Sequence, residues 1–522
     1  MYSSIIDKLC EVCPVKSKTI AKSVLCVISI ALFTKLLGFV KSVVIAGYLG
    51  ANADTDVFYL ALGLVTGVTY SIFTAITVSF IPLYLVAQKA GKDAADRFLG
   101  RSLFYFLLLS FALMVTVFVL AMPLARGLLL INDGLSEEEL AFYIRILSPI
   151  FFIGCINTVF GAVLEANKSF ALNKSLGLLI SLAIIFFLVF FSKQLGARAL
   201  AYGYIVGYLI QLVLLFRSLR QYNRITLLTE INSDVNKLFR LLLPLLIGNG
   251  IYEINKLIDK VLAAGVGTGG PTALAYAQTL FDSLCALSIT SAVSVLFSYT
   301  SGLVVTNDYK EIKKNITDTT SVLLLITAPF AVMLLLDGTS IVRFIYERGA
   351  FKEQATFNTA YSLMGYAVGI PFLVFREVLA KAHYAFKNSK DPMKNSVLSA
   401  MINIMFSVFL SRYLGIAGIT IATSISYFVC SMLLNRTIKK SLDYTIFNNK
   451  TFYCKLFVSM VVMSMIVIAL KSSFTYSKVS MVINVFVSFT LYFTTLYVLK
   501  CKQVIFLIDV IKKKLAHGVC NG

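Results

Sequence analysis

Apolar stretches of membrane-crossing length recur along the chain from about residue 20 to about residue 500, separated by short polar segments. A helix rises about 1.5 Å per residue, so roughly 20 apolar residues cover the hydrocarbon core of a bilayer. Fourteen windows approach or exceed that length: 24–49, 57–86, 99–125, 142–165, 174–192, 197–217, 239–264, 272–304, 320–345, 356–385, 394–412, 416–435, 454–470 and 480–499. None alternates in the manner of a barrel strand, and each is too long for one. The pattern predicts an all-α polytopic membrane protein with about 14 transmembrane helices. Windows beyond the minimum length are accommodated by tilt or by extension past the bilayer.

Composition agrees with that solvent. The 522 residues are 58% hydrophobic and 14% charged, with mean hydropathy +0.84, too apolar for the surface of a soluble protein of this length. The net charge of +21 then follows from loop asymmetry. One set of loops carries clusters such as Lys89, Lys92, Arg97 and Arg101, then Arg217, Arg220 and Arg224, then Arg436, Lys439 and Lys440. The opposite loops, such as 50–55 and 265–272, hold almost no Lys or Arg. The positive-inside rule places both termini in the cytoplasm, and the charge calls for no nucleic-acid partner.

The first 19 residues are polar and lack a small-residue cleavage site, so residues 1–23 are expected to be a cytoplasmic leader rather than a signal peptide. CEVC at Cys10–Cys13 is a lone CxxC, and His383 and His517 are the only histidines; no metal site or cofactor is expected from these. No P-loop, dinucleotide fingerprint or nucleophile–base constellation occurs. A transporter rather than an enzyme is expected.

Residues 168–217 resemble residues 387–436 at a constant offset of 219. Lys168 pairs with Lys387, Leu195-Gly196 with Leu414-Gly415, and Arg217 with Arg436. Each copy holds a basic loop, a span, a Leu-Gly turn and a return span. Six spans per half give the copies the same orientation, a parallel repeat of the kind solute transporters use. The expected units are a six-helix lobe at 24–225, a second at 226–440, and a C-terminal helix pair with a cytoplasmic tail at 441–522.

Polar groups interrupt the apolar windows. Lys35 lies about 16 Å into the first, where an ammonium ion costs about 2.5–3.5 kcal/mol on insertion scales. Lys41 is about 120° around the same helix, so the two share only a wide lumen, unless Lys41 snorkels to the interface. In the seventh window Asn249, Glu253, Lys256 and Lys260 fall within about 60° on one face, with Asp259 on the flank. Pro244, Gly248 and Gly250 precede that stripe and weaken the helix, as a bending gate requires. Glu253 has Lys256 and Lys260 within reach, so mutual neutralisation stands beside a water-filled cavity as an explanation. Arg376, Glu377 and Lys381 interrupt the tenth window, where Glu377 and Lys381 are spaced for an i,i+4 pair and Arg376 points elsewhere. Asp282 and Glu165 complete the inventory. A cavity with this cationic bias suits phosphate or diphosphate groups.

The segments TKLLGFVKSVVIAGYLGANADTDVFYLAL at 34–62, SFIPLYLVAQKAGKDAADRF at 79–98 and IYERGAFKEQAT at 345–356 resemble motifs of the MurJ/MviN-type lipid II flippases. That family belongs to the multidrug/oligosaccharidyl-lipid/polysaccharide exporter superfamily. The resemblance implies two six-helix lobes that exchange access to a central cavity in the bacterial inner membrane. The implied partner is a polyprenyl-diphosphate-linked glycan whose lipid tail stays in the membrane. Lys35 and Lys41 stand where the family has two first-span arginines, and Asp56 where it has an aspartate. The family's span-two arginine pair and Glu-Gly are replaced around Val68, Thr69, Phe73 and Thr74, and its span-eight arginine by Thr279; Lys256 and Lys260 are candidate substitutes.

The leading expectation is a flippase for undecaprenyl-diphosphate-linked saccharide, foremost lipid II, with an exopolysaccharide or O-antigen repeat unit as the alternative cargo. A small-solute antiporter of the same fold ranks below it. A membrane-embedded glycan-transfer enzyme ranks last, since the longest outer loop, 126–140, is short. Expected substrate contacts are Lys35, Lys41, Asp56, Asn249, Glu253, Lys256, Lys260, Arg376 and Glu377. A monomer is expected, driven by a coupling cation or by the membrane potential.

Overall fold

The computed structural model describes residues 18–505, apart from 133, 223–225, 231–232, 307, 387 and 474–476. Most of the expected leader, the CEVC motif, His517 and the end of the tail lie outside the described residues. Among those described, the chain is helical throughout, in 18 α-helices joined by short connections. They are α1 Lys18–Leu49, α2 Ala53–Lys89, α3 Lys92–Val119, α4 Ala121–Leu128, α5 Glu137–Leu147 and α6 Pro149–Ala166. Then come α7 Phe170–Leu176, α8 Leu178–Leu195, α9 Arg198–Leu219, α10 Ser233–Val266, α11 Gly270–Cys285 and α12 Ser291–Val305. The last six are α13 Tyr309–Tyr346, α14 Glu353–Val368, α15 Ile370–Ala385, α16 Lys390–Leu442, α17 Lys450–Ser473 and α18 Lys478–Val498.

Every expected window falls on helix, which makes the chain all-α and polytopic. Ten described segments, adjoining helices included, are each long and apolar enough to cross a bilayer, or eleven when α14 and α15, bent by 48° at Gly369, count as one span. Three windows separate 14 from eleven: 24–49 on α1 is not among the ten segments, and two more follow from breaks in the helices. Windows 394–412 and 416–435 are the two arms of α16, which meet at the non-helical Gly415 and together make up one of the ten segments. Window 272–304 is split by a π-helical turn, Ala286–Thr290, into pieces of 16 and 15 residues. π turns of this kind insert one extra residue per turn and locally widen the helix.

The repeat leaves a backbone signature. Gly196 has φ 55° and ψ −134°, and Gly415 has φ 58° and ψ −137°. This left-handed conformation disfavours side chains with a Cβ, so the same glycine-dependent reversal occurs twice at the offset seen in the sequence.

Packing joins the two halves. α2 and α10 run along each other over much of their length. One apolar cluster passes through both halves, from Ile45 and Phe58 to Tyr276, Tyr346 and Leu379. A second gathers the end of α2 with α3, α6, α9 and the start of α10. α17 and α18 pack on α13, fastened by Asp337, where α13 is kinked (φ −129°, ψ 21°). The Asp337 carboxylate accepts from Asn484 Nδ2 at 3.1 Å and faces Lys471 Nζ at 3.7 Å. α10 continues through Pro244 as a single helix.

Candidate functional site

A cavity of about 480 Å³ lies where α1, α2, α10 and α11 meet. Lys35 and Lys41 reach it from α1, and Glu253, Lys256 and Lys260 from α10; Thr279 and Asp282 come from α11. Lys35 and Lys41 are well apart around α1, so the lumen wraps that helix instead of facing a single stripe. Four ammonium groups meet two carboxylates, which leaves an excess of positive charge.

The lysines differ in how far they are engaged. Lys256 Nζ lies 3.4 Å from Glu253 Oε1 and 4.5 Å from the Tyr252 ring centroid, a cation–π distance. Lys41 Nζ donates to Tyr204 Oη at 3.4 Å and sits 5.4 Å from that ring. Lys35 is exposed to the cavity. Lys260 presses on α2 at Gly63, where an added Cβ would stand 2.9 Å from Lys260 Cδ and 3.0 Å from Nζ. One turn on, a Cβ at Gly67 would meet Glu253 Cβ at 3.4 Å. The two glycines therefore make the smooth face that admits the polar stripe of α10 between the halves. The sequence signal was present as GLVTG at 63–67, a GxxxG pattern of close helix approach. Tyr204 and Gln278 also line the cavity; neither stands out in the sequence, because tyrosine and glutamine carry no charge to flag them.

One end of the interface is sewn shut. The Asp56 carboxylate accepts from Gly269 N–H at 2.5 Å, from Thr272 N–H at 3.0 Å and from Thr272 Oγ1–H at 2.6 Å. It thereby caps α11, across the halves, with the negative group that a helix N-terminus favours. Around it Tyr276 Oη donates to Gly50 O at 3.1 Å, Ala350 N–H to Gly47 O at 2.9 Å, and Asn132 Nδ2 to Ala264 O. Ser42 and Tyr346 share a hydrogen bond of 3.0 Å. Asn52 holds α2 in register with a capping box to Thr55, which aims Asp56 at its partners.

Four expected contacts lie away from the cavity. Asp56 is fully buried and spent on the seam. Asn249 shares a face with Glu253 but lines no cavity described here, being one turn short of it. Arg376 lines a separate cavity of about 80 Å³ behind α10, together with Asp259. It pairs with Glu377 at 2.9 Å and stacks 5.1 Å from the Tyr427 ring centroid. This corrects the expected Glu377–Lys381 pair: Lys381 instead lies over Phe297 and Tyr384 at 5.8 and 5.7 Å, because the adjacent guanidinium reaches the carboxylate first. Of the substituted span-two positions, Phe73 packs against Gly154 and Thr69 bonds back to Val65 O at 2.8 Å, so neither replaces a cation. Thr279 lines the cavity, with its hydroxyl donated to Ala275 O at 2.9 Å.

A helical body with a cationic cavity between two halves, sealed at one end by hydrogen bonds, defines a polytopic membrane transporter. The profile of the lipid II flippase MurJ family matches residues 45–487, and the chain belongs to that family. It is 24% identical over 502 residues to the probable lipid II flippase MurJ of Rickettsia prowazekii (strain Madrid E), covering 92% of this chain and 98% of that protein. It is 26% identical over 441 residues to the protein of the same name from Bdellovibrio bacteriovorus, covering 81% and 83%. Among solved structures, "Lipid II flippase MurJ, inward closed conformation" superposes with TM-score 0.79 at 22% identity, covering 93% of this chain and 99% of that one. An inward-facing multidrug resistance MATE family transporter of the MOP superfamily superposes with TM-score 0.69 at 16% identity, covering 80% and 98%. These two likenesses are of fold. The protein is a multi-pass inner-membrane transporter.

Proposed function

We propose that this chain moves lipid II from the cytoplasmic to the outer leaflet by alternating access, gripping the diphosphate in the lysine cavity while the polyprenyl tail stays in the bilayer. The observation that carries the reading is the excess of lysines over carboxylates in a cavity between the halves; family membership supplies the cargo. Ammonium groups bind phosphate oxygens as point charges, without the bidentate geometry of arginine. Lys35 and Lys260 serve as the primary grips from opposite halves. Lys41 and Lys256 join them when cargo displaces Tyr204 and Glu253.

Residues 24–225 and 226–440 act as the rocking lobes, and 441–522 as an appended pair with its tail. With both termini in the cytoplasm, the loops around Gly50, Gly269 and Ala350 face the outer side, so the Asp56 seam is the outer closure. Asp56 thus serves the transport cycle by holding that seam, and Arg376–Glu377 by supporting α10 from behind. The transporter works as a monomer, powered by a coupling cation or the membrane potential.

Complementation of a flippase-depleted strain tests the reading. Lys35→Ala should abolish growth with membrane abundance unchanged; full complementation would remove Lys35 from the mechanism. Vesicles of the purified chain offered lipid II or an O-antigen-type diphospholipid should flip the former in preference.

A further inference from the structure

The internal repeat sets an equivalent groove in each half, and the two end differently. In the second half, the chain leaving α16 folds back into its own groove. Tyr444, Ile446 and Phe452 are buried there, Phe375 lies 5.6 Å from the Phe447 ring, and Asn435 Oδ1 accepts from Ile446 N–H at 3.0 Å. α17 then covers the surface. Moved back by the repeat offset of 219, Phe375, Asn435 and Ile446 become Ile156, Phe216 and Leu227. Those three line an open groove of about 690 Å³. Leu227 is 53% exposed, against 1% for Ile446. The helix pair that seals one groove occurs once in the chain, so its counterpart is left unsealed.

What the open groove has instead is charge at one end. Arg217, in the last turn of α9, and Arg220, its C-terminal cap, both line it, and the Arg220 guanidinium stacks 4.6 Å from the Phe216 ring centroid. The nearby Glu230 carboxylate is held by Arg101 at 2.9 Å, and among the described residues no carboxylate pairs with Arg217 or Arg220.

We propose that this groove is a binding site for an anionic phospholipid of the surrounding bilayer, one acyl chain along the apolar wall and the phosphate on Arg217 and Arg220. Guanidinium forks match phosphate oxygens two at a time, and basic pockets at helix ends select anionic head groups. Within hydrocarbon an apolar wall gives no preference for one lipid chain over another. Selectivity therefore rests on the arginines, and head-group charge is the variable to test. The site is separate from the cargo cavity and stands whether or not lipid II is the cargo.

Native mass spectrometry of the full chain, titrated with phosphatidylglycerol or with phosphatidylcholine of identical acyl chains, reads it directly. The unaltered protein should retain one phosphatidylglycerol at least tenfold more strongly than phosphatidylcholine. Arg217→Gln with Arg220→Gln should erase that preference, and Arg436→Gln with Lys439→Gln, at the sealed counterpart, should leave it intact. Val213→Trp, which fills the groove without touching charge, should also lower phosphatidylglycerol retention while thermal unfolding stays unchanged. Equal retention of the two lipids by the unaltered protein, or an undiminished preference in the glutamine pair or the tryptophan variant, overturns the proposal. So does displacement of phosphatidylglycerol by an equimolar polyprenyl phosphate, which would assign the groove to the cargo's tail.

Discussion

The same two halves meet in two ways within a short distance. At the seam they touch through direct hydrogen bonds, most of them to main-chain atoms: Gly269 and Thr272 N–H to Asp56, Ala350 N–H to Gly47 O, Tyr276 Oη to Gly50 O. At the cavity they enclose four lysines, of which Lys256 and Lys41 have partners and Lys35 faces open space. Direct pairing makes the seam strong only in one arrangement of the halves, since every bond crosses between them. Unmatched positive charge makes the cavity costly when empty and relieved when phosphate fills it. Closure and capture thus draw on opposite conditions of the same interface, polar groups fully satisfied at one end and left wanting in the middle.

The sharpest way to break the comparison is to discharge the cavity from both sides. Lys35→Ala combined with Lys260→Ala should eliminate flipping in reconstituted vesicles with no loss of expression; retained flipping would mean that capture does not depend on charge. Next in size is the seam. Asp56→Ala removes three hydrogen bonds to a charged acceptor, each about 1.5–3 kcal/mol, enough to shift closure by roughly a hundredfold or more. In a cysteine-free background, Ser42→Cys should then label far faster with an impermeant maleimide, and an unchanged rate would show that the seam does not rest on Asp56. Gly67→Leu should follow, cutting transport by about tenfold as its side chain pushes Glu253 away; transport equal to the parent would show that close approach of α2 and α10 is dispensable. Lys41→Ala should cost only a few-fold relative to Lys35→Ala, because Tyr204 already holds that ammonium; equal losses would erase the distinction drawn between them. The smallest effect falls behind the cavity. Arg376→Gln should lower stability by about 1–2 kcal/mol, seen as a modest drop in thermal unfolding temperature, with flipping largely kept.

How much of this was legible beforehand depended on the range of the interaction. Spans could be read because length and hydropathy are local properties, and the Leu-Gly reversals because they recur at a fixed offset. Gly415, read as a Leu-Gly turn between two windows, is non-helical in the structure as well, whereas the kink at Asp337 went unflagged within an apolar window. Lys35 and Lys260 drew notice because ammonium groups are expensive in hydrocarbon. That they share one lumen depends on α1 and α10 facing the same cavity from more than 200 residues apart in sequence, which no periodicity reveals. Asp56 shows the limit most clearly. The resemblance marked it as functional, but two of its three donors are main-chain N–H groups 213 and 216 positions away, and main-chain donors leave no mark in a sequence.

That last feature bears on how such a protein can change over generations. A closure stitched largely from peptide groups is indifferent to most amino-acid replacements along it, because every residue but proline offers the same donor and acceptor. Residues that lend only a peptide group are free to drift while the fastening persists, and the burden of constancy falls on the side chains that supply the other partner, Asp56, Thr272, Tyr276 and Asn132.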